Sequence, residues 1–425
     1  MLTLSYIRDH KEEILKGLEV RQYPESAITE VDDIIALDDR RKENQAKRDD
    51  SLSRVNKLSK EIGALYQSGQ REKAEELKSE VAQVKQLAKN LEGEQQDILA
   101  KLDELLLNIP NVPHPSVPTG KSDEDNEVVR PWQAEVNKIK DGLPHWELGT
   151  KYGLIDFETG TKITGAGFPL FRGQGARLER ALINFFLDSA YEAGYHEVIP
   201  PLVVNADSAR ATGQLPDKEG QMYYIEKDDL YLIPTAEVPV TNIYRNVIIS
   251  ESDLPIKLTG YTPCFRREAG SYGADVKGLN RVHQFDKVEI VQITHPDKSY
   301  ETLDEMVSYV SGLLDQLELP YRILRLCGGD LGFTSALTFD FEVYSAGQGR
   351  WLEVSSVSNF ETFQANRLKL RYKDTEGKKQ LAHTLNGSAL ALARIVAALL
   401  ENNQVSDGII IPEVLRSYMK SDKIT

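Results

Sequence analysis

The residues best equipped for chemistry fall within one stretch, 265–289. It reads Phe265-Arg266-Arg267-Glu268, a glycine-rich loop through Gly270, Gly273 and Gly278, and then Arg281-Val-His-Gln-Phe285-Asp-Lys-Val-Glu289. Guanidinium groups present fixed forks of donors that match phosphate and carboxylate oxygens. An aromatic ring offers a plate for a base, and a carboxylate can hold an ammonium group. Tyr261 to Phe265 and Phe285 to Val291 are rich in aromatic and β-branched residues, so both flanks read as strands of a long antiparallel hairpin. Alternation then puts Arg266 with Glu268 on one face, and Phe285 with Glu289. Such a surface suits a nucleoside triphosphate beside a small zwitterion. A solvated hairpin would carry the same charges, but a loop this long leans toward function, because hairpin loops usually hold about two to five residues.

Weaker candidates lie on either side. Thr235-Ala236-Glu237 follows the strand-like Tyr231-Leu-Ile-Pro and sets a hydroxyl two residues from a carboxylate, a pattern most often seen in helix caps. Trp351-Leu-Glu353-Val354-Ser355-Ser356 alternates like a strand, with Glu353 and Ser355 on one face; carboxylate and hydroxyl oxygens suit Mg²⁺. Asn386-Gly387-Ser388 reads as the opening of a helix carrying Arg394, where Asn386 or Ser388 serves equally well as a cap.

The elements that must hold these groups are legible in outline. Beyond residue 130 the texture is mixed α and β. Gln174 to Ala193 carries one apolar helical stripe stopped by Gly194. His196 to Val204 reads as a strand interrupted by Pro200 and Pro201, hence an edge strand that a second subunit or simple edge blunting protects. Asp156 to Thr164 reads as a hairpin turning at Thr159-Gly160. His145 beside Trp146 reads as packing.

The N-terminal part differs. Apolar or small residues recur at Ala74, Leu77, Val81, Val84, Ala88, Leu91, Ile98, Leu102 and Leu105, with Gln95 filling one slot. That alternation of three and four predicts a coiled-coil helix. Leu52, Val55, Leu58, Ile62 and Leu65 form a shorter stripe before a break at Ser68-Gly69, so the two helices should fold back as an antiparallel hairpin. Pro110, Pro113, Pro115 and Pro118 then predict a stiff connector. The expected organisation is a helical arm module at 1–110, a linker at 111–127 and a catalytic domain at 128–425.

The chain has 425 residues and a net charge of −15, which excludes coating nucleic acid by bulk charge. Residues 40 to 97 are locally basic, with 13 Lys/Arg against 11 Asp/Glu. Such an arm reads either as a spacer or as an antenna for a phosphate backbone. Two cysteines, Cys264 and Cys327, make no disulfide framework, and no Cys/His cluster has zinc spacing. The N-terminus lacks the pattern of a signal peptide and no run spans a bilayer, so a cytoplasmic setting is expected.

In order, a helix and strand ending at Pro201, the hairpin opening Phe265-Arg-Arg-Glu268 and a final helix with Arg394 resemble the three signature motifs of class II aminoacyl-tRNA synthetases. Thr235-Ala-Glu237, Glu353-Val-Ser-Ser356, Phe363-Gln-Ala and His383-Thr-Leu-Asn-Gly-Ser388 narrow the resemblance, over essentially the whole chain, to bacterial seryl-tRNA synthetases. It implies an α+β fold with an antiparallel-sheet catalytic domain, a homodimer through the Pro201 region, and activation of serine by ATP with Mg²⁺ but no structural zinc. The ATP site would comprise Arg266, Arg267, Glu268, Arg281, Val282, Phe285, Glu353, Val354, Ser355, Ser356 and Arg394. Serine would be held by Thr235, Ala236, Glu237, Arg266, Glu289, Asn386 and Ser388, and Mg²⁺ by Glu353 and Ser356 through the nucleotide. Arg266, Arg394 and Glu353 would be the catalytic groups. The arm would grip serine tRNA, and selenocysteine tRNA where one exists. Two departures stand out: Ala393 sits where class II enzymes usually carry glutamate, and Asn366-Arg367 where two arginines are expected. Another class II amino acid ligase, a carrier-protein aminoacylating relative and a binding-only paralogue are the alternatives. Only 31 residues follow Arg394, too few for the anticodon-binding domain of other class II branches.

Overall fold

The computed structural model describes every residue except 137, 138, 140, 141 and 269–276. Gly270 and Gly273 therefore lie outside the described residues. Two compact units result, one of residues 1–19 with 23–110 and the other of 20–22 with 111–425.

The first unit is dominated by two long helices, α1 (Glu25–Gln67) and α2 (Arg71–Asn108), packed along each other as a hairpin. Along α2 the inward positions are Ala74, Val81, Val84, Ala88, Leu91, Gln95, Ile98, Leu102 and Leu106. Leu106 takes the last place expected for Leu105, because a four-residue step follows Leu102 where three were anticipated. On α1 the seam passes through Ser51, Val55 and Leu58, which leaves Leu52 exposed. Val55, Leu58, Val81 and Val84 form an apolar cluster near the tip. Asp38, Asn44 and Ser51 make the lower seam of α1 polar, and ion pairs such as Arg48 to Glu92 at 3.0 Å bridge the helices.

The second unit is built on one eight-stranded sheet. Its strands in chain order are β1 (Glu127–Arg130), β2 (His196–Glu197), β3 (Ile256–Phe265), β4 (Gln284–Thr294), β5 (Tyr321–Arg325), β6 (Leu337–Ser345), β7 (Arg350–Asn359) and β8 (His383–Ala391). Their spatial order is β1-β5-β6-β7-β8-β4-β3-β2, antiparallel except for β2 on β3. Three helices cover one face: α3 (Gly173–Glu192), α4 (Ser299–Gln316) and α5 (Leu392–Asn402). Leu182 and Phe186 of α3, Met306 and Val310 of α4, and Ile395 and Leu399 of α5 join Val288, Ile290, Phe341 and Val357 in a single core. The opposite face stays polar, because alternate residues of β4 turn away from the helices.

Several local expectations change. Phe157–Ile163 is helical rather than a hairpin: Asp156 caps it by accepting from the Thr159 amide at 2.9 Å. Gly160 lies inside that helix because any Cβ would meet the Phe168 carbonyl. The residues around Pro200 and Pro201 are not one strand; β2 ends at Glu197, and Val203–Asn205 belongs to a separate three-stranded sheet. Two adjacent prolines, neither of which has a ladder donor, break the run. Residues 383–391 form β8 rather than a helix start, so Asn386 and Ser388 are strand residues and α5 begins at Leu392. The proline-rich stretch is stitched to its unit: the Asn111 amide donates to Phe333 O at 3.0 Å and His114 N to Ala336 O at 2.8 Å.

Candidate active site

The polar face of the sheet is hollowed into a cavity of about 360 Å³. Its floor is β4, where Phe285, Lys287 and Glu289 point in while Val288 and Ile290 point into the core. Strands β3 and β4 pair without a break from Phe265–Gln284 to Ile256–Ile293, so the strand period is preserved across the floor.

At the deep end Glu289 is 1% exposed. Its carboxylate accepts from Lys287 Nζ at 2.5 Å, Asn386 Nδ2 at 2.9 Å and Thr235 Oγ1 at 3.3 Å. Asn386 and Ser388 reach this end because β8 lies beside β4, with Glu289 opposite Ser388. Lys287 also donates to Thr235 Oγ1 at 2.8 Å, and Thr235 accepts from the Glu237 amide at 3.2 Å. Glu237 itself accepts from Gln364 Nε2 at 2.6 Å. Burial, with Glu289 close by, pushes Glu237 up to about 7, against the Gln364 bond and Lys287. Burial also raises Glu289, opposed by Lys287 and Arg266. Two acids and one lysine in a buried pocket leave room for one more positive charge.

At the open end the guanidinium of Arg266 sits 5.4 Å from the Phe285 ring centre, and its Nε donates to Pro234 O at 3.3 Å. Glu268 lines the same wall by a route the strand pattern does not predict. Strand β3 stops at Phe265, and Glu268 takes a left-handed backbone at φ 47°, uncommon for a residue with a Cβ. Arg281 Nη1 meets Glu268 Oε2 at 3.2 Å. From the far side Arg394 donates to Asn280 O at 3.0 Å and to Glu353 O.

Strand β7 carries a bulge. Phe341 faces Ser355 whereas Glu342 faces Glu353, so Val354 is extra. The bulge breaks the expected Glu353–Ser355 pairing. Ser356 instead comes beside Glu353, with Oγ 3.3 Å from Oε1, and Ser355 donates to Ser388 O at 2.6 Å. Asp340, opposite Ser356, is half-buried with its Oδ1 shielded and unpartnered, and desolvation followed by the Glu353 charge raises its pKa strongly. An oxygen-only donor set with an orphaned carboxylate oxygen at its edge fits a hard divalent cation.

Arg266, Glu268, Arg281, Val282, Phe285, Glu353, Val354, Ser355, Ser356, Arg394, Thr235, Glu237, Glu289, Asn386 and Ser388 all line this one cavity. Two expected members do not. Arg267 turns outward, donating to Met222 O at 3.1 Å with its guanidinium 4.6 Å from the Tyr223 ring, because it sits between two residues that face inward. Ala236 is fully buried in a cluster with Val240, Leu258 and Val291. Sequence reasoning missed Lys287, although it lies midway between Phe285 and Glu289 on the same strand face. Gln364 stands in the Phe363-Gln-Ala motif without an assigned role, and its place behind Glu237 supplies one. Arg367, at the position of the departure, donates to Arg210 O at 3.0 Å and does not line the cavity.

A helix-backed antiparallel sheet holding such a cavity defines the catalytic core of a class II aminoacyl-tRNA synthetase. Residues 223–403 match the model of the class II core domain for G, H, P, S and T, and residues 1–113 match the seryl-tRNA synthetase N-terminal domain. The chain belongs to the seryl-tRNA synthetase family. It is 50% identical to the serine–tRNA ligase of Salinibacter ruber over 98% of both chains, and 46% identical to that of Chlorobaculum parvum over 100% of both. Among solved structures it is similar to seryl-tRNA synthetase from Pyrococcus horikoshii complexed with ATP (34% identity, TM-score 0.93, covering 100% of this chain and 99% of that one). The prolyl-tRNA synthetase of Giardia lamblia, at 18% identity over 63% of this chain and 54% of its own, with a TM-score of 0.56, shares the fold.

Proposed function

We propose that the protein joins L-serine to its tRNA at the expense of ATP, through a seryl-adenylate. The observation that carries this reading is a single cavity with an acidic, buried end and a cationic, open end, in a chain of this family. The serine ammonium sits against Glu237, Glu289 and the Thr235 hydroxyl, and its side-chain hydroxyl pairs with Glu289 and Ser388. Alanine would leave those buried groups unpaired, which supports selectivity. Adenine stacks on Phe285 beside Glu268. Arg266 draws the α-phosphate toward the serine carboxylate, while Arg281 and Arg394 hold the outgoing pyrophosphate. The carboxylate is already a nucleophile, so catalysis consists of orienting two anions and offsetting phosphoryl charge. Glu353 and Ser356 would hold Mg²⁺, which when bound neutralises part of the triphosphate charge.

The activated acyl group then passes to the terminal ribose of serine tRNA, or of selenocysteine tRNA where present. The α1–α2 arm grips the tRNA largely through its backbone, in keeping with its local basic excess. The same reading makes the protein a cytoplasmic homodimer joined near Pro201, where Ile199 is 90% exposed beside Leu202 and Val203. No helix among the described residues is long and apolar enough to cross a membrane. Serine-dependent ATP–pyrophosphate exchange, run beside threonine, alanine and glycine, tests the assignment: serine should exceed each by orders of magnitude. Equal rates with any of them would overturn it.

A further inference from the structure

His145 lies outside the cavity and is fully buried. Its Nδ1 is 2.7 Å from Glu401 Oε1, and its backbone amide donates to the same oxygen at 3.0 Å. Nε2 lies 2.8 Å from the Leu279 amide, which can only donate. Nδ1 therefore carries the proton and Nε2 the lone pair, and both ring nitrogens are committed. Gly278, at φ +68°, packs so close that a Cβ would come within 2.3 Å of His145 Nε2.

Glu401 is equally committed. It accepts from Ser345, from Gly347 N at 3.1 Å and from Gln348 Nε2 at 3.3 Å. Burial opposes its charge, but the bonds from His145 and Ser345 prevail and hold its pKa below the usual value. Gln348 closes the circuit by exchanging two hydrogen bonds with the Asn280 side chain, at 2.9 and 3.2 Å. Arg394 takes the Asn280 carbonyl from the other side at 3.0 Å. Arg394 and Glu401 lie seven residues apart on α5, two turns along one face.

Three consecutive residues, 278–280, are thus clasped immediately before Arg281 enters the cavity. We propose that the His145–Glu401 pair is a positioning device for amino-acid activation, fixing the backbone from which Arg281 reaches the triphosphate. This rests on the reading of Arg281 as a phosphate ligand. His145 touches no substrate and acts through Leu279.

His145→Asn keeps a donor near Glu401 but cannot reach Leu279. In ATP–pyrophosphate exchange with the full chain it should raise the KM for ATP about tenfold, since small misplacements of a charged group cost one to two orders of magnitude. The KM for serine should stay within twofold, a split that general loss of structure would not produce. In an Arg281→Ala background His145→Asn should add less than twofold, because coupled residues are not additive. Gln348→Ala, a half-buried change, should show the same split at smaller size and decides the matter if His145→Asn fails to fold. Unchanged ATP kinetics in the folded variants, equal loss for both substrates, or full additivity with Arg281→Ala overturns the proposal. If Arg281→Ala alone leaves the KM for ATP unchanged, the reading of Arg281 fails first and takes this inference with it.

Discussion

Single side chains in this cavity are governed by the electrostatics of burial. Glu237, pushed up to about 7, holds its proton in the free protein below that pH, and an incoming ammonium must expel it. Serine affinity should therefore be nearly constant above pH 7.5 and fall by up to about tenfold per unit below pH 7. Calorimetric titration from pH 5.5 to 8.5 checks this, and Glu237→Gln should bind weakly with a flat profile. The same shift works against folding. An acid whose native pKa exceeds its usual 4.5 adds most to stability at low pH and loses that contribution as pH rises through about 7. Glu289→Ala should raise the KM for serine at least tenfold while moving that for ATP little, since its partners all lie at the deep end. Equal losses in exchange kinetics would refute the division of the cavity. Lys287→Met leaves two buried acids without their cation and should destabilise by about 3–5 kcal/mol, read as a large fall in Tm.

Elements carry a second kind of information. The α1–α2 seam is predominantly apolar but includes Asn44 and Gln95, each buried with an amide oxygen lacking a partner. Polar groups at seam positions fix register at a cost in stability. Gln95→Leu should stabilise the hairpin by about 1 kcal/mol, measurable as slower amide exchange along α2 in the full chain. Helix α3 places Glu179 in a similar position against the sheet, where burial and then Asp286 drive its pKa well up. The periodic signals in these elements are local, which is why α2, α3 and the two long strands of the floor were readable in advance. The Phe157–Ile163 helix was not, because Thr159-Gly160 looks like a turn until the Asp156 cap and the close Phe168 carbonyl are known.

For the whole molecule, the question is how separable the two units are. Among the described residues, those lining the cavity all lie beyond 213, within the second unit. Deleting residues 40–97 should leave serine-dependent pyrophosphate exchange within about twofold while transfer to tRNA drops below detection. Loss of both activities would show that the arm supports the catalytic unit directly.

What the chain by itself determined was mostly what repeats along it. A period of two placed Phe285 and Glu289 on one face, and periods near three and four laid out the arm. The bulge at Val354 and the meeting of Lys287, Asn386 and Gln364 around two buried acids were decided only by tertiary structure. Strand pairing joins residues about a hundred positions apart, as with Glu289 and Asn386, and sets whether a neighbour in sequence is a neighbour in space. Local periodicity can assign a side to a residue, but only the packed sheet assigns it a partner.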